Sequence, residues 1–402
     1  MDGSYSITGE KIFISAGEHD LAENIVHIVL ARLPQAPAGT KGISLFIVPK
    51  FNVDNSGNLQ DRNKVICSAI EHKMGIHGNA TCVLNFDGAK GFLIGPENRG
   101  LNCMFTFMNT ARIGTAVQGL AASEISFQGA LNYAKERLAM RALTGARMPR
   151  KKCGSDHRTS CRGRALAYFL AQHVDIVENT HNPEQKIHSD ELLAFLTPIA
   201  KAFLTESGNE SAKHGVQIFG GHGFIVEHGM EQIARDARIS TLYEGTTEIQ
   251  SLDLLARKVL KSEGKLLNNM IDLIDQFIAT HQSNPALITY ITTLTELKQQ
   301  WLSITQHISV QAQQNPEEIG AASVDYLYFS SYVVFAYLWA RMAQVAEQKL
   351  NDGTQEEKFY RAKLATAQFF FEKLLHRTKS HAASIQSGAK AVMQLDPDDF
   401  AF

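Results

Sequence analysis

The chain has 402 residues and a formal net charge of −2 at pH 7. It is long enough for two or three domains with sizeable cores, and its charge gives no global electrostatic case for nucleic acid. Its five cysteines (positions 67, 82, 103, 153 and 161) are odd in number and form no C-x-x-C pair, which fits a reducing compartment better than a disulfide scaffold. The opening residues Met1-Asp-Gly-Ser-Tyr-Ser have neither a basic nor an apolar signal region, so cytoplasm follows as the default.

Residues 1–95 read as β. Tyr5-Ser-Ile-Thr alternates, and Ile12-Phe-Ile, Ile25–Leu30 and Ile43–Val48 are short runs rich in β-branched residues. Turn clusters at Pro34–Gly42 and Asn52–Asn58 separate them, with Asn55–Asn58 as a solvent-facing hairpin tip. From Leu101 the period becomes helical: Met104, Phe107, Met108, Ala111, Gly114 and Ala121 share a stripe in a helix reaching Leu138. Further helical blocks are predicted over Arg164–Glu178, Leu192–Ile218 and Thr246–Leu260. Residues 149–163 are strongly basic without apolar periodicity, which predicts a disordered loop. In the tail, Leu287, Ile291, Leu294, Leu297, Trp301, Ile304 and Ile308 step by three and four between Pro285 and Pro316. Phe329–Ala340 is the most apolar stretch, but its uncharged window is too short for a membrane span, and a buried helix is expected. Thr354-Gln-Glu-Glu357 reads as a capping box opening the final helix.

Leu242-Tyr-Glu-Gly-Thr-Thr-Glu-Ile-Gln250 carries the strongest chemical signal. Glu244 stands between an aromatic residue and a glycine, and a carboxylate with little water nearby holds a proton more readily, which suits a general base for a weak carbon acid. Gly245, Thr246 and Thr247 supply backbone freedom and hydroxyls for a loop closing on a ligand. The spacing alone favours a plainer reading, a helix N-cap at Thr246 or Thr247 with Glu248 in the first turn. Gly221-His-Gly223 is not a dinucleotide fingerprint, because position 226 is valine and the preceding segment is helical. Cys153, His157 and Cys161 are only three ligands in a run of Arg and Lys, so no metal site is read there.

Gln217-Ile-Phe-Gly-Gly-His-Gly-Phe224, Arg235-Asp-Ala-Arg238 and Tyr243-Glu-Gly-Thr246 follow one another in an order that resembles the acyl-CoA dehydrogenase family. Gly9–Ser15, Met74–His77, Met108–Arg112 and Glu136-Arg137 extend the resemblance over most of residues 1–260. The tail resembles the extra helical region of a bacterial subgroup that includes 3-methylmercaptopropionyl-CoA dehydrogenases. The fold implied is α+β: a partial middle β-domain over 1–98, a helical bundle of the family's type over 99–262, and an additional C-terminal helical domain over 263–402.

The resemblance implies FAD-dependent α,β-dehydrogenation of an acyl-CoA thioester, of the 3-methylmercaptopropionyl or fatty acyl class, with Glu244 as base. It places Arg112, Tyr243 and Gly245 at the substrate. Phe13 and Ser15 would meet the flavin ring, Gln217, Gly220, Gly221 and Thr246 its adenine and phosphate end, and Arg137 the pyrophosphate of a neighbouring subunit. Alone, Phe13 in an apolar strand reads as core, Arg112 as a solvated helix arginine, Arg137 as a surface residue and Gly220 as a helix C-cap. An electron-transferring flavoprotein would accept the electrons. A homo-oligomer follows from Arg137 and from the need to bury Phe369, Phe370 and Phe371. Relative to the family pattern the chain begins after the opening helical domain and the first part of the β-domain. The rival expectation is therefore a truncated, non-catalytic remnant that holds FAD weakly or not at all.

Overall fold

The computed structural model describes residues 3–141, 147–149 and 154–400, which fall into two compact units, Met1–Thr110 and Ala111–Phe402. In the first unit β1 (Ser4–Ser15), β2 (Val26–Arg32), β3 (Ile43–Pro49), β6 (Val65–Ile70) and β7 (Thr81–Ile94) form an antiparallel sheet, while β4 (Phe51–Val53) and β5 (Leu59–Arg62) make a separate hairpin. The long strand β7 organises the sheet: β1, β3 and β6 all pair with it, and β2 pairs with β3. Alternation along these strands puts Ile7, Val29, Phe46, Val48, Val65, Leu84 and Phe86 into one core. The hairpin tip lies where its composition places it. Asp54 carboxylate accepts from Ser56 N–H at 2.8 Å and Asn58 N–H at 2.9 Å, closing an Asx turn in solvent.

β1 is irregular between Lys11 and Ile14, and Phe13 within that bulge takes φ 59° and is 67% exposed. Phe13 is therefore not core: the bulge turns its ring into solvent. Ser15 is exposed as well.

The helix α1 (Gly100–Glu136) leads into the second unit, which holds β8 (Leu138–Arg141), β9 (Arg147–Pro149), α2 (Gly154–Asn179), α3 (Pro183–Phe219), α4 (Met230–Arg238), α5 (Thr247–Leu252), α6 (Lys265–His281), α7 (Ile288–Gln314), α8 (Glu317–Asn351), α9 (Glu357–Phe369), α10 (Arg377–Gln386) and α11 (Lys390–Met393). One apolar core runs from Ala116 through Leu166, Phe195, Leu254, Trp301 and Phe335 to Ile385. α8 is long and apolar enough by composition to cross a membrane, but Val333–Ala336, Trp339 and Ala340 are fully buried in this core.

The buried face of α1 differs from the apolar stripe read in the sequence. Met104, Phe107, Met108, Ala111, Gly114 and Ala121 are half-buried or exposed, whereas Arg112, Thr115, Ala116, Ser123, Ser126, Phe127 and Ala130 face inward. The reason is close helix crossing. A Cβ at Gly119 would lie 2.4 Å from Leu204 O, and one at Gly208 would lie 2.5 Å from Gly119 O. Around that crossing the helices accept only small inward residues such as Thr115, Ala116 and Ser123, whereas Arg112 and Phe127 are buried further along α1.

Three further expectations need correction. The basic segment 149–163 is not a loop throughout: from Gly154 its backbone is already the first part of α2, so that helix starts ten residues before Arg164. Residues 150–153, with Cys153, lie outside the described residues, as do the side chains of His157 and Cys161. Thr354 does not open a capping box, nor is its helix the last. α9 begins at Glu357, and the Thr354 hydroxyl accepts from Glu356 N–H at 3.1 Å in a local turn. Phe370 and Phe371 are buried in the molecule's own core, so they call for no partner.

Candidate active site

A tight 3₁₀ turn at Ile239–Thr241 delivers the chain to residues 242–246, after which α5 begins. Thr246 is its N-cap, its hydroxyl accepting from Ile249 N–H at 3.3 Å, so the plain capping reading is realised. Glu248 in the first turn is held below the usual carboxylate range, first by its own backbone N–H and then by the Thr246 hydroxyl.

Between turn and helix, Glu244 and Gly245 take φ 58° and 92°. A left-handed glutamate costs energy and persists only where its surroundings over-determine it. Two buried donors do so here. Gln250 Nε2 donates to Glu244 O at 3.0 Å, and Lys201 Nζ, from the middle of α3, donates to Gly245 O at 2.5 Å. Both side chains belong to fully buried residues. Gly245 is required twice over, for its φ and because a Cβ there would lie 2.5 Å from Gln250 Nε2.

The Glu244 side chain leaves this fixed loop with one carboxylate oxygen shielded from solvent. Its Oε2 is buried and finds no hydrogen-bond partner among the described residues. Tyr243 OH donates to Gln118 of α1. Burial raises the Tyr243 phenol above its ordinary value against the opposing Gln118 hydrogen bond, so it stays a neutral donor. Arg112 is buried and not solvated: its Nη1 lies 3.4 Å from Asp253 Oδ2, and Asp253 Oδ1 lies 3.3 Å from Arg257 Nε. Thr247 Oγ1 donates to Glu206 Oε1 at 2.7 Å. Lys201 is pulled down to about 8 by burial, with Glu244 the strongest group opposing that fall.

The sequence-predicted residues of the second unit thus form two groups. Arg112, Tyr243, Glu244, Gly245 and Thr246 surround the loop. Arg137, Gln217, Gly220 and Gly221 lie where α1 and α3 end. Tyr133 ties that second group together: its ring stacks on Phe219 at 4.1 Å, its hydroxyl is 2.8 Å from His222 Nδ1, and its carbonyl accepts from Arg137 N–H at 2.8 Å. Gly220 caps α3 at φ 65°, its N–H donating to Val216 O and Gln217 O, and beside Gly221 nothing lies within 4 Å of a Cβ position. Phe13 and Ser15 belong to the first unit. Sequence reasoning missed Gln118, Lys201, Glu206, Gln250 and Asp253. Lys201 had a visible signal, a lone charge inside the apolar run Leu192–Leu204.

Two family descriptions match: "Acyl-CoA dehydrogenase, C-terminal domain" over residues 98–260 and "Acetyl-CoA dehydrogenase C-terminal like" over 270–396. The chain belongs to the acyl-CoA dehydrogenase family. It is 39% identical over 93% of its length to 3-methylmercaptopropionyl-CoA dehydrogenase of Ruegeria pomeroyi, of which it spans 65%. It is 32% identical over 99% of its length to the broad-specificity linear acyl-CoA dehydrogenase FadE5 of Mycobacterium tuberculosis, of which it spans 70%. Among solved structures, Caenorhabditis elegans ACDH-11 in complex with C11-CoA has the same fold, with a TM-score of 0.78 at 21% identity, covering 100% of this chain and 65% of that one. Acyl-CoA dehydrogenase from Bacillus anthracis, complexed with FAD, gives 0.74 at 21% identity, covering 95% and 64%.

Proposed function

We propose that this chain performs flavin-dependent α,β-dehydrogenation of an acyl-CoA thioester to the trans-2-enoyl-CoA, with Glu244 as the base. The observation that carries the reading is the buried, unpartnered Glu244 Oε2 on a left-handed loop fixed by two buried donors. Glu244 takes the proton from Cα. The Cα–H electron pair becomes the new double bond as the Cβ hydrogen leaves with its own pair. FAD, when bound, accepts that hydride. Glu244 N–H has no acceptor among the described residues and suits the thioester carbonyl, where charge develops as the proton leaves.

The residues present suit FAD in chemistry. Phe13 offers an exposed ring, Gly221 a backbone position with open space beside it, and Arg137 an exposed side chain whose guanidinium is fit for phosphate. The names of the two relatives support a 3-methylmercaptopropionyl or linear fatty acyl group. We further propose an electron-transferring flavoprotein as acceptor and an oligomer in which Arg137 serves a neighbouring subunit.

The test uses residues 1–402 as purified protein. Bound flavin is measured per subunit, and its absorbance is followed on adding butyryl-, octanoyl- or 3-methylmercaptopropionyl-CoA. Bleaching by at least one of them is expected. Glu244→Gln should keep the flavin and slow its reduction by about 10²–10⁴-fold, the usual contribution of a positioned base. A colourless protein would mark the non-catalytic remnant, and reduction of the Glu244→Gln variant at the native rate would remove Glu244 from the mechanism.

A further inference from the structure

Lys201 is a charge placed where the chain has least room for one. It lies in α3 among Pro198, Ile199, Ala200, Ala202, Phe203 and Leu204 and is 0% exposed. Its ammonium makes one hydrogen bond, to the neutral carbonyl of Gly245, and no carboxylate lies within ion-pair distance of it among the described residues. A cation buried this way is costly, and methionine would fill the same space without that cost. The charged groups facing it come from four elements: Glu244 from the loop, Arg112 from α1, Glu206 from its own helix and Glu248 from α5. Glu244 favours the ammonium more than the other carboxylates do, and Arg112 opposes it.

We propose that Lys201 is a positioning residue for Glu244: its ammonium pins the left-handed turn through the Gly245 carbonyl and supplies the countercharge that the Glu244 carboxylate otherwise lacks. The inference rests on Glu244 being the base. Holding the next residue's carbonyl, instead of the carboxylate itself, fixes the loop while leaving Glu244 free to meet a Cα–H. A direct ion pair would occupy the oxygens that take the proton. Electrostatic coupling between two sites is mutual, so removing either charge is expected to change the behaviour of the other.

Two measurements decide it. In the full chain carrying ε-¹³C lysine, the Lys201 resonance is assigned by its loss in Lys201→Arg and followed with pH. It should titrate at about 8 and move about one pH unit lower in Glu244→Gln. A lysine with only a packing role gives the same titration in both proteins, and that result overturns the proposal. The second measurement is kcat/KM against pH. Lys201→Met should lose activity about 10–100-fold and show an acid limb about one unit higher than the native enzyme, and Lys201→Arg should restore the limb. An unmoved limb in Lys201→Met also overturns the proposal. Should Lys201→Met fail to fold, the lysine titration still decides. If no acyl-CoA reduces the flavin of the native chain, the dehydrogenase reading fails by itself, and the lysine titration still reports whether the two groups are coupled.

Discussion

At the scale of single residues, the site is built by paying for two unfavourable states close together, a left-handed glutamate and a buried lysine. The lysine leaves a thermodynamic trace. Its folded value of about 8 lies below the ordinary 10.5, so between these pH values the unfolded chain binds more protons at this position than the folded one. Stability therefore rises with pH through that window, by at most about 1.4 kcal/mol per unit, and below it Lys201 is a constant penalty. Urea midpoints of the native chain and Lys201→Met, compared at pH 7 and near pH 10, should shift in favour of the native chain at the higher pH. A difference that stays flat or moves the other way rejects the assignment. Most of the loop was legible beforehand because Tyr243–Thr246 is a contiguous string. Its supports were not, because Gln118 and Gln250 are ordinary helical residues in sequence, and they, like the lone charge Lys201 in its apolar run, meet the loop only through the fold. The exposure of Phe13 was hidden for a related reason: an aromatic in an apolar strand looks like core unless the bulge at Lys11–Ile14 is known.

At the scale of elements, the crossing of α1 over α3 places Gln118 beneath Tyr243. Gly208→Ala must push a methyl against Gly119 O, where the Cβ would sit at 2.5 Å, and should cost about 1–3 kcal/mol or more in a urea melt. Gly114→Ala is the matched control. It lies on α1 with nothing within 4 Å of its Cβ, so it should be neutral or stabilise by up to about 1 kcal/mol through helix propensity. Equal effects from the two substitutions would mean that the crossing is looser than described. Helix existence was readable from periodicity, as for Leu287–Ile308, which became α7. The inward face of α1 was not readable, because a face selected for small size carries little hydrophobic contrast. The basic stretch before Arg164 was misjudged because composition reports what a segment prefers alone, while neighbouring helical turns propagate into it.

At the scale of the whole chain, the two matched family regions, 98–260 and 270–396, share one core. Phe203, two residues from Lys201, has its ring centroid 5.1 Å from that of Phe335 in α8 and 5.2 Å from that of Tyr332. Ser251 Oγ of α5 meets Ser323 Oγ of α8 at 3.1 Å. A chain ended after Ser262 should therefore give no cooperative melt for its remaining helices, since Leu254, Leu255 and Val259 would lose their covering layer. A sharp transition near the native temperature would contradict this. Outside that core, Phe107, Val117 and Ile125 on α1 and Ile28, Ile66 and Ile70 on the sheet are exposed, so sedimentation at micromolar concentration should show more than a monomer.

The contact of Phe203 with α8 also bears on how such a chain can change over generations. An in-frame recombination event near residue 262 would keep both recognisable halves. It would also set a foreign α8 behind the helix that carries Lys201, and a ring displaced there reaches the Gly245 carbonyl in two residues of α3 and one hydrogen bond. The tail and the loop are thus expected to drift as a pair, and substitutions at Phe335 or Tyr332 should be tolerated only together with changes around Phe203.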